Sequence, residues 1–417
     1  MRILYLSQYF FPEAGATQTR AYEMASNWVR LGHHVTMIAE LPNHPSGIIP
    51  PAYRGKLYQK DQLDGIEVIR VWVKASPIKN FRNRILFYLT YMLNAALAGF
   101  FLARGKYDLI YATSPPIFVG GTALFLSWIR GIPLAFEVRD LWPEAAVALG
   151  ELSNPRAIAW ATRLEEACYR RARLIVVVTQ GILDRLIQRG LKPGKLALIP
   201  NGANVVLFLR SEEGRQRIRQ LLELEDCFIA IYAGIHGIAQ GLETVIEAAR
   251  LLEGNNHIHL LLVGDGPKKA ELSTLAQELS LSNLTMLPEQ PRSQIIDYLS
   301  AADIALIPLR NLELFKGALP SKMFDAWACE LPLLLSVDGE ARRIMELAEG
   351  GVFVPPENPT TLAETLRQLA AQPAICQEMG KRGREFTVKQ YSRQAQAEKL
   401  ITLLSAVLHK DRKEKAS

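Results

Sequence analysis

The sequence predicts an α/β protein of two doubly wound domains, and three observations carry that expectation. Strand-length apolar runs, such as Ile258-His259-Leu260-Leu261-Leu262-Val263, alternate with helical stretches along nearly the whole chain. Runs this uniformly apolar belong to parallel strands buried on both faces. One unit of apolar run, tight turn and helix recurs three times between His257 and Glu340. At 417 residues the chain is too long for one ordinary core, so two domains are expected.

In the first half, candidate strands are 2–6, 34–38, 66–71, 108–111, 133–136, 173–178 and 195–199. Helices fill 19–31, 84–103, 117–129, 156–172 and 180–189. The loops 42–52 and 137–155 are long for this architecture, and long loops in such domains tend to carry function. The series closes around Pro200-Asn201-Gly202, and the charged stretch 211–225 reads as a surface helix. A fresh strand, Phe228 to Ala233, opens the second series, which continues through 284–287, 303–307, 332–335 and 351–354. The predicted domains are therefore 1–204 and 205–384. Helices from about Gly380 to His409 follow the second sheet, and the tail from Lys410 to Ser417 is expected to fray.

Hydrophobic content of 49% and charged content of 22% exclude a disordered chain. The four cysteines (Cys168, Cys227, Cys329, Cys376) lie far apart without CxxC spacing, which argues against a disulfide framework or a zinc site and fits a reducing cytosol. The apolar start of the chain is interrupted by Ser7 and Gln8 and ends at Pro12-Glu13, a strand pattern and not a signal peptide.

The net charge of +6 is concentrated between Arg54 and Lys106, where ten basic residues face three acids. Inside that window, Ile85 to Ala103 carries no charge, with Arg84 and Arg104 at its ends. Three readings stand: a buried or half-buried helix, an interfacial helix whose basic flanks meet anionic lipid, or a transmembrane span. No nucleic-acid binding motif surrounds the basic residues, so no nucleic acid partner is expected.

Four segments carry the residue types that chemistry needs. Phe11 to Arg20 includes Glu13, Gly15, Ala16 and Arg20 and links the first strand to its helix. Small residues there let amides approach an anion, but GxGxxG and the P-loop Lys-Ser/Thr are both missing, so taken alone the segment reads as a structural turn ahead of a ligand loop. Gly264-Asp265-Gly266-Pro267 is explained by turn chemistry alone. Tyr232 to Leu242, with Gly234, Gly237, Gln240 and Gly241, follows a buried strand and leads into a helix near Leu242, a pattern suited to phosphate.

The third segment joins Arg310 to Pro320-Ser321-Lys322-Met323-Phe324-Asp325. Lys322 and Asp325 share a helix face at i, i+3, so both can address one ligand or form a surface ion pair. Ligands of such sheets sit beyond the carboxyl ends of the strands, where this pair falls. The fourth, Phe136 to Glu144, sets Glu137, Arg139, Asp140 and Glu144 beside Trp142 at a strand end. So many charges do not suit a core; a solvated loop would hold them, and Trp142 with Phe136 argues for a packed, shaped site.

With those residues identified, the chain resembles glycosyltransferase family 4, the two-domain GT-B fold. The likeness is carried by Pro200-Asn201-Gly202-Ala203-Asn204, by Gly237 to Leu242 and by Leu319 to Ala328. The segment Glu137 to Glu144 also resembles the bacterial N-acetyl-fucosaminyltransferase-like branch of O-antigen and capsule synthesis. The resemblance implies two Rossmann-like domains facing across a cleft, with a final helix (385–417) crossing back to the first.

It further implies a nucleotide-sugar donor, in particular a uridine diphosphate sugar, held mainly by the second domain, an acceptor on the first, retention of configuration and no metal or other cofactor. Donor-binding residues are then Gly15, Ala16, Gly237, Gln240, Arg310, Lys322 and Asp325; acceptor-binding residues are Arg20, Trp142 and Glu144; catalytic candidates are Asp140, Glu13 and Arg139. Asp325 takes the second position of the family's Glu-x₇-Glu motif, whereas Gly317 stands at the first. The family's Arg and Lys after the first strand of the second domain fall near His236 and Gln240 here. The expected role is transfer to a lipid-linked or saccharide acceptor by a cytoplasmic protein peripheral to the inner membrane through 81–106. Alternatives are a relative that binds nucleotide-sugar without turnover, and a sugar-nucleotide epimerase on the same fold.

Overall fold

The computed structural model describes residues 1–416 apart from 14, 45, 79, 149–151, 255 and 256. Ala14 of the first glycine turn, position 45 of loop 42–52, Lys79 of the basic window, 149–151 of loop 137–155 and Ser417 of the tail thus lie outside the described residues. The chain divides into two compact units, residues 1–200 with 394–417, and residues 201–393.

The first unit is an eight-stranded sheet: β1 (Arg2–Leu6), β2 (His34–Glu40), β3 (Tyr58–Leu63), β4 (Ile66–Val71), β5 (Leu109–Ser114), β6 (Leu134–Val138), β7 (Leu174–Val177) and β8 (Leu196–Leu198). Its order is β3-β4-β2-β1-β5-β6-β7-β8, parallel except for the β3/β4 hairpin. Strand alternation feeds two cores. Leu4 and Leu6 pack on one face, while Ile3 and Tyr5 pack on the other with Trp28 and Tyr111.

The second unit is a six-stranded parallel sheet: β9 (Phe228–Ala233), β10 (Ile258–Val263), β11 (Leu284–Leu287), β12 (Ile304–Pro308), β13 (Leu333–Ser336) and β14 (Gly351–Phe353). The order is β11-β10-β9-β12-β13-β14. Ile229 and Ile231 enter one core, and Phe228, Ala230 and Tyr232 the other.

The domain boundaries shift from the predicted ones for physical reasons. A cut at 204 would separate Ala203 from Tyr391 and Arg393, with which its backbone forms hydrogen bonds of 3.0 Å each. Gly202 permits that approach, since a Cβ there would stand 1.9 Å from the Tyr391 carbonyl oxygen. A cut at 384 would split the helix Pro373–Gln390. Gly380 and Gly383 bring that helix against Glu330 and the Trp327 indole, so it stays with the second unit to residue 393.

The final helix, Arg393–Ala416, belongs to the first unit, with Ala397, Leu400, Ile401, Leu404 and Leu408 buried as a single stripe. The Trp28 indole N–H donates to the Ala397 carbonyl at 3.1 Å. The helix continues to Ala416 where fraying was expected from Lys410; Lys, Arg, Glu and Ala all favour helix.

The polar strand β3 is absent from the sequence expectation. Its residues Tyr-Gln-Lys-Asp-Gln-Leu alternate between exposed and half-buried positions at the sheet edge, so no apolar run marks it. One side of the helix Phe81–Phe101 enters the core and the other is exposed, as both the half-buried and the interfacial readings require. Tyr91, Ala95 and Ala98 are in the core, and the Tyr91 hydroxyl donates to the Ile38 carbonyl at 2.9 Å. It is also long and apolar enough to cross a membrane.

Candidate functional site

In the second sheet the chain winds outward from β9 through β10 to β11, then returns to β12 on the other side of β9. That reversal opens a crevice at the carboxyl ends of β9 and β12, where ligands of such sheets bind. Gly234 follows β9 with φ of 145°, and the aliphatic end of Lys322 lies directly against it; a Cβ at Gly234 would meet Lys322 Cε at 2.4 Å. Lys322 opens the short helix Lys322–Ala328 after β12. Its Nζ stands 3.9 Å from the centroid of the Tyr232 ring and donates to the Tyr232 hydroxyl, which in turn donates to the Ile235 carbonyl at 2.6 Å.

No carboxylate pairs with this ammonium among the described residues, and burial pushes its pKa down to about 7. An amine held this way is short of counter-charge and suited to an anion. A pyrophosphate beside it would favour the protonated form and raise its pKa. Pyrophosphate-ligand affinity should therefore fall as pH rises, by about tenfold per unit above pH 7 until the bound-state pKa is reached. Calorimetric titration at a series of pH values checks this; a flat profile would show that Lys322 does not meet the phosphates.

His236 lies next to this crevice and is fully buried, with neither ring nitrogen hydrogen-bonded. Burial, then Lys269 and Lys322, lower its pKa to about 4, so the imidazole is neutral near pH 7. Its backbone joins Asp265 and Lys268 through bonds of 2.8 and 2.9 Å. Turn chemistry alone does not explain Gly264-Asp265-Gly266-Pro267. At Gly266, with φ of 155°, a Cβ would stand 2.5 Å from the His236 carbonyl oxygen, so the glycine lets two loops meet.

The other predicted donor residues divide. Gly237 precedes a 3-10 turn, Ile238–Gln240, and the Gln240 amide folds over it. Arg310 is a brace more than a free cation: its Nε donates to the Ile238 carbonyl at 2.8 Å and its Nη2 reaches Glu243 at 3.4 Å. Asp325 lies 3.7 Å from the Arg393 guanidinium, a partner from the end of the second unit. Sequence pattern gave no role to Tyr232, because its contact with Lys322 joins a strand to a helix 90 residues away.

In the first unit, Glu137 overturns the expectation that so many charges cannot belong to a core. It is fully buried and accepts from Tyr111 and Thr113 at 2.7 Å each and from Arg20 at 2.9 Å. Burial alone would raise its carboxyl, but Arg20 and Arg139 with these bonds hold it below the ordinary glutamate value. Arg20 is not an acceptor ligand: it is 5% exposed and also donates to the carbonyls of Ile199 and Pro200 at 2.8 and 3.0 Å.

Arg139 follows β6 with Nε and Nη1 buried and without hydrogen bonds, beside the exposed Asp140. Glu13 Oε1 accepts from the backbone N–H groups of Asn43 and His44 at 2.6 and 2.7 Å, while its buried Oε2 has no partner. Burial raises the Glu13 carboxyl against the pull of those two amides and Arg70. Glu13 therefore fixes the start of the 42–52 loop and keeps one oxygen uncommitted.

Gly15, with φ of 147°, caps the helix Ala16–Arg30 at its amino end, and Ala16 is the first residue of that helix. Trp142 packs on Phe118, with ring centroids 6.3 Å apart. Glu144 pairs with Arg185 and Arg189 at 3.3 and 3.5 Å.

Residues 15–202 match the glycosyl transferase 4-like domain family, and residues 214–386 match glycosyl transferases group 1. The chain belongs to the glycosyltransferases that join these two domains, family 4 with the GT-B fold. Among individual relatives, it is 23% identical over 381 residues to a protein named as a colanic acid biosynthesis glycosyl transferase, WcaI, of Escherichia coli K12, covering 89% of this chain and 93% of that one. In fold it is similar to sucrose-phosphate synthase from Thermosynechococcus elongatus (TM-score 0.74, 21% identity, 98% of this chain and 99% of the other). It is also similar to Anabaena Alr3699/HepE solved with UDP-glucose (TM-score 0.73, 17% identity, 97% and 100%).

Proposed function

We propose that this glycosyltransferase moves a sugar from a uridine diphosphate donor onto a lipid-linked or saccharide acceptor in bacterial surface-polysaccharide synthesis. The reaction retains anomeric configuration and runs without a metal. The observation that carries this reading is the Lys322 ammonium, positioned at the crevice between β9 and β12 without a carboxylate partner among the described residues. A diphosphate leaving group gathers negative charge as the glycosidic bond breaks, and a pre-aimed cation stabilises that charge without reorganisation. Lys322 supplies the positive charge, and the amides of Gly237 and Ile238 at the glycine-rich turn add partial charge of the same sign.

On the acceptor side, the uncommitted Glu13 oxygen and Asp140 are the groups available to orient a hydroxyl. A departing phosphate oxygen can itself take the hydroxyl proton in a same-face displacement. Similarity to a colanic acid transferase and to a UDP-glucose complex supports the polysaccharide setting and the uridine donor. The segment Glu137 to Glu144 supports the N-acetyl-fucosaminyltransferase-like branch. The basic window and the exposed residues of Phe81–Phe101 support a position at the inner face of the cytoplasmic membrane.

A thermal-shift panel of nucleoside diphosphates tests the reading. UDP should raise the melting temperature by mass action, and GDP and ADP should raise it less. No shift with any of them would defeat the proposal. Sugar conversion without added acceptor would point instead to an epimerase.

A further inference from the structure

We infer that a face shared by two packed helices of the first unit docks on an anionic lipid surface, an inference that rests on the membrane position proposed above and extends it beyond the basic window. The first helix is Phe81–Phe101 and the second is Phe118–Ile129, which lies outside that window. They close tightly because glycines face side chains. A Cβ at Gly99 would meet Leu126 at 2.3 Å, and one at Gly121 would meet Met92 at 2.5 Å. Thr122 donates to the Met92 carbonyl at 2.8 Å. Arg130, just after the second helix, donates to the Gly99 and Ala103 carbonyls at 2.8 and 3.0 Å, bringing the two carboxyl ends together.

The outer surface of this pair is apolar. On the first helix Leu93, Leu97 and Phe101 fall at i, i+4 and i+8, and Phe101 is 61% exposed. On the second helix Phe125, Trp128 and Ile129 are exposed, Trp128 to 78%. Soluble surfaces rarely leave this much aromatic and aliphatic area together without a use.

Charge selects the occupant. Arg82 and Arg84 stand at the start of the first helix, Arg104 and Lys106 follow its end, and Arg171 closes the neighbouring helix Pro155–Arg171, where Arg170 is paired with Glu166 at 3.5 Å. The Arg171 guanidinium joins that helix to the second through a 2.9 Å bond to Ser127. Across residues 81–130 the sole acid is Asp108, which accepts from the Arg2 backbone N–H at 2.9 Å. A second copy of the chain would set these basic rims against each other, whereas an anionic headgroup layer neutralises them while its acyl boundary accepts the apolar residues. Trp and Phe suit that boundary.

The test is co-sedimentation of the full chain with vesicles of phosphatidylcholine alone or with phosphatidylglycerol added. The wild type should bind the mixed vesicles, weakly or not at all the neutral ones, and less as salt rises. Phe125→Ser with Trp128→Ser should weaken that binding by tenfold or about that, and Arg104→Glu with Lys106→Glu by a similar factor. Transfer to a water-soluble acceptor should be unchanged in both. Unaltered vesicle binding in both variants, or a dimer in light scattering that the Phe125/Trp128 variant dissolves, would overturn the inference. A wild type that binds the mixed vesicles as expected but transfers no sugar to any acceptor would instead count against the proposed function.

Discussion

Lys322→Ala is expected to lower turnover by a factor on the order of 10² to 10³, the scale of removing one pre-aimed group that stabilises developing negative charge. The apparent donor affinity should fall as well, because the ammonium meets the phosphates in the ground state too. Stability should behave differently. The wild-type amine is pushed by burial to about pH 7 and, among the described residues, has the Tyr232 hydroxyl and no carboxylate as its partner, so removing it takes away a poorly compensated charge. Its melting temperature should therefore hold or rise while activity collapses. Lys322→Arg should rescue little, because the side chain lies against the Gly234 backbone and a planar fork does not fit that channel. Steady-state kinetics beside thermal denaturation separates the two effects. A variant that loses stability in proportion to activity would reduce Lys322 to a structural residue.

Arg20→Ala is expected to cost about 3–5 kcal/mol of stability, the range for breaking a buried ion pair from one side. Glu137 would keep its bonds from Tyr111 and Thr113 but lose the cation 2.9 Å away, at a fully buried position. Arg139 is close enough to act on Glu137 and should hold the loss toward the lower end. The carbonyls of Ile199 and Pro200 would also lose their donor just before the second unit begins.

The sign of the pH dependence follows from Glu137. Its folded-state carboxyl lies below the ordinary value, so its stabilising contribution is present above that value and fades as pH falls through the folded value. The difference between wild type and variant should thus be large near pH 7 and shrink in acid. Arg20→Ala with Glu137→Gln should recover part of the loss. Urea denaturation at neutral and acidic pH measures all three proteins.

Much of the fold is legible in the sequence because buried parallel strands leave uniform apolar runs. The runs at 2–6, 258–263 and 303–307 became β1, β10 and β12 within a residue or so. β3 escaped because an edge strand buries little, although Asp64 and Gly65, both with positive φ, form the kind of turn that marks a hairpin. Lys322 was legible as a cation at a helix start after a strand. Its partner Tyr232 was not, since that contact depends on how β9 and the helix Lys322–Ala328 pack. The same gap applies to Arg20, Glu144 and Arg310: residue type and position near a strand end are visible in the chain, but the group that pairs with each charge is set by tertiary packing.

The most direct measurement is calorimetric titration of UDP into the wild type and Lys322→Ala near neutral pH in two buffers of different ionisation enthalpy. The wild type should bind with net proton uptake, and the alanine variant should bind at least about tenfold more weakly with that uptake gone. Equal affinity and equal proton uptake in the two proteins would contradict the claim that the Lys322 ammonium grips the donor diphosphate.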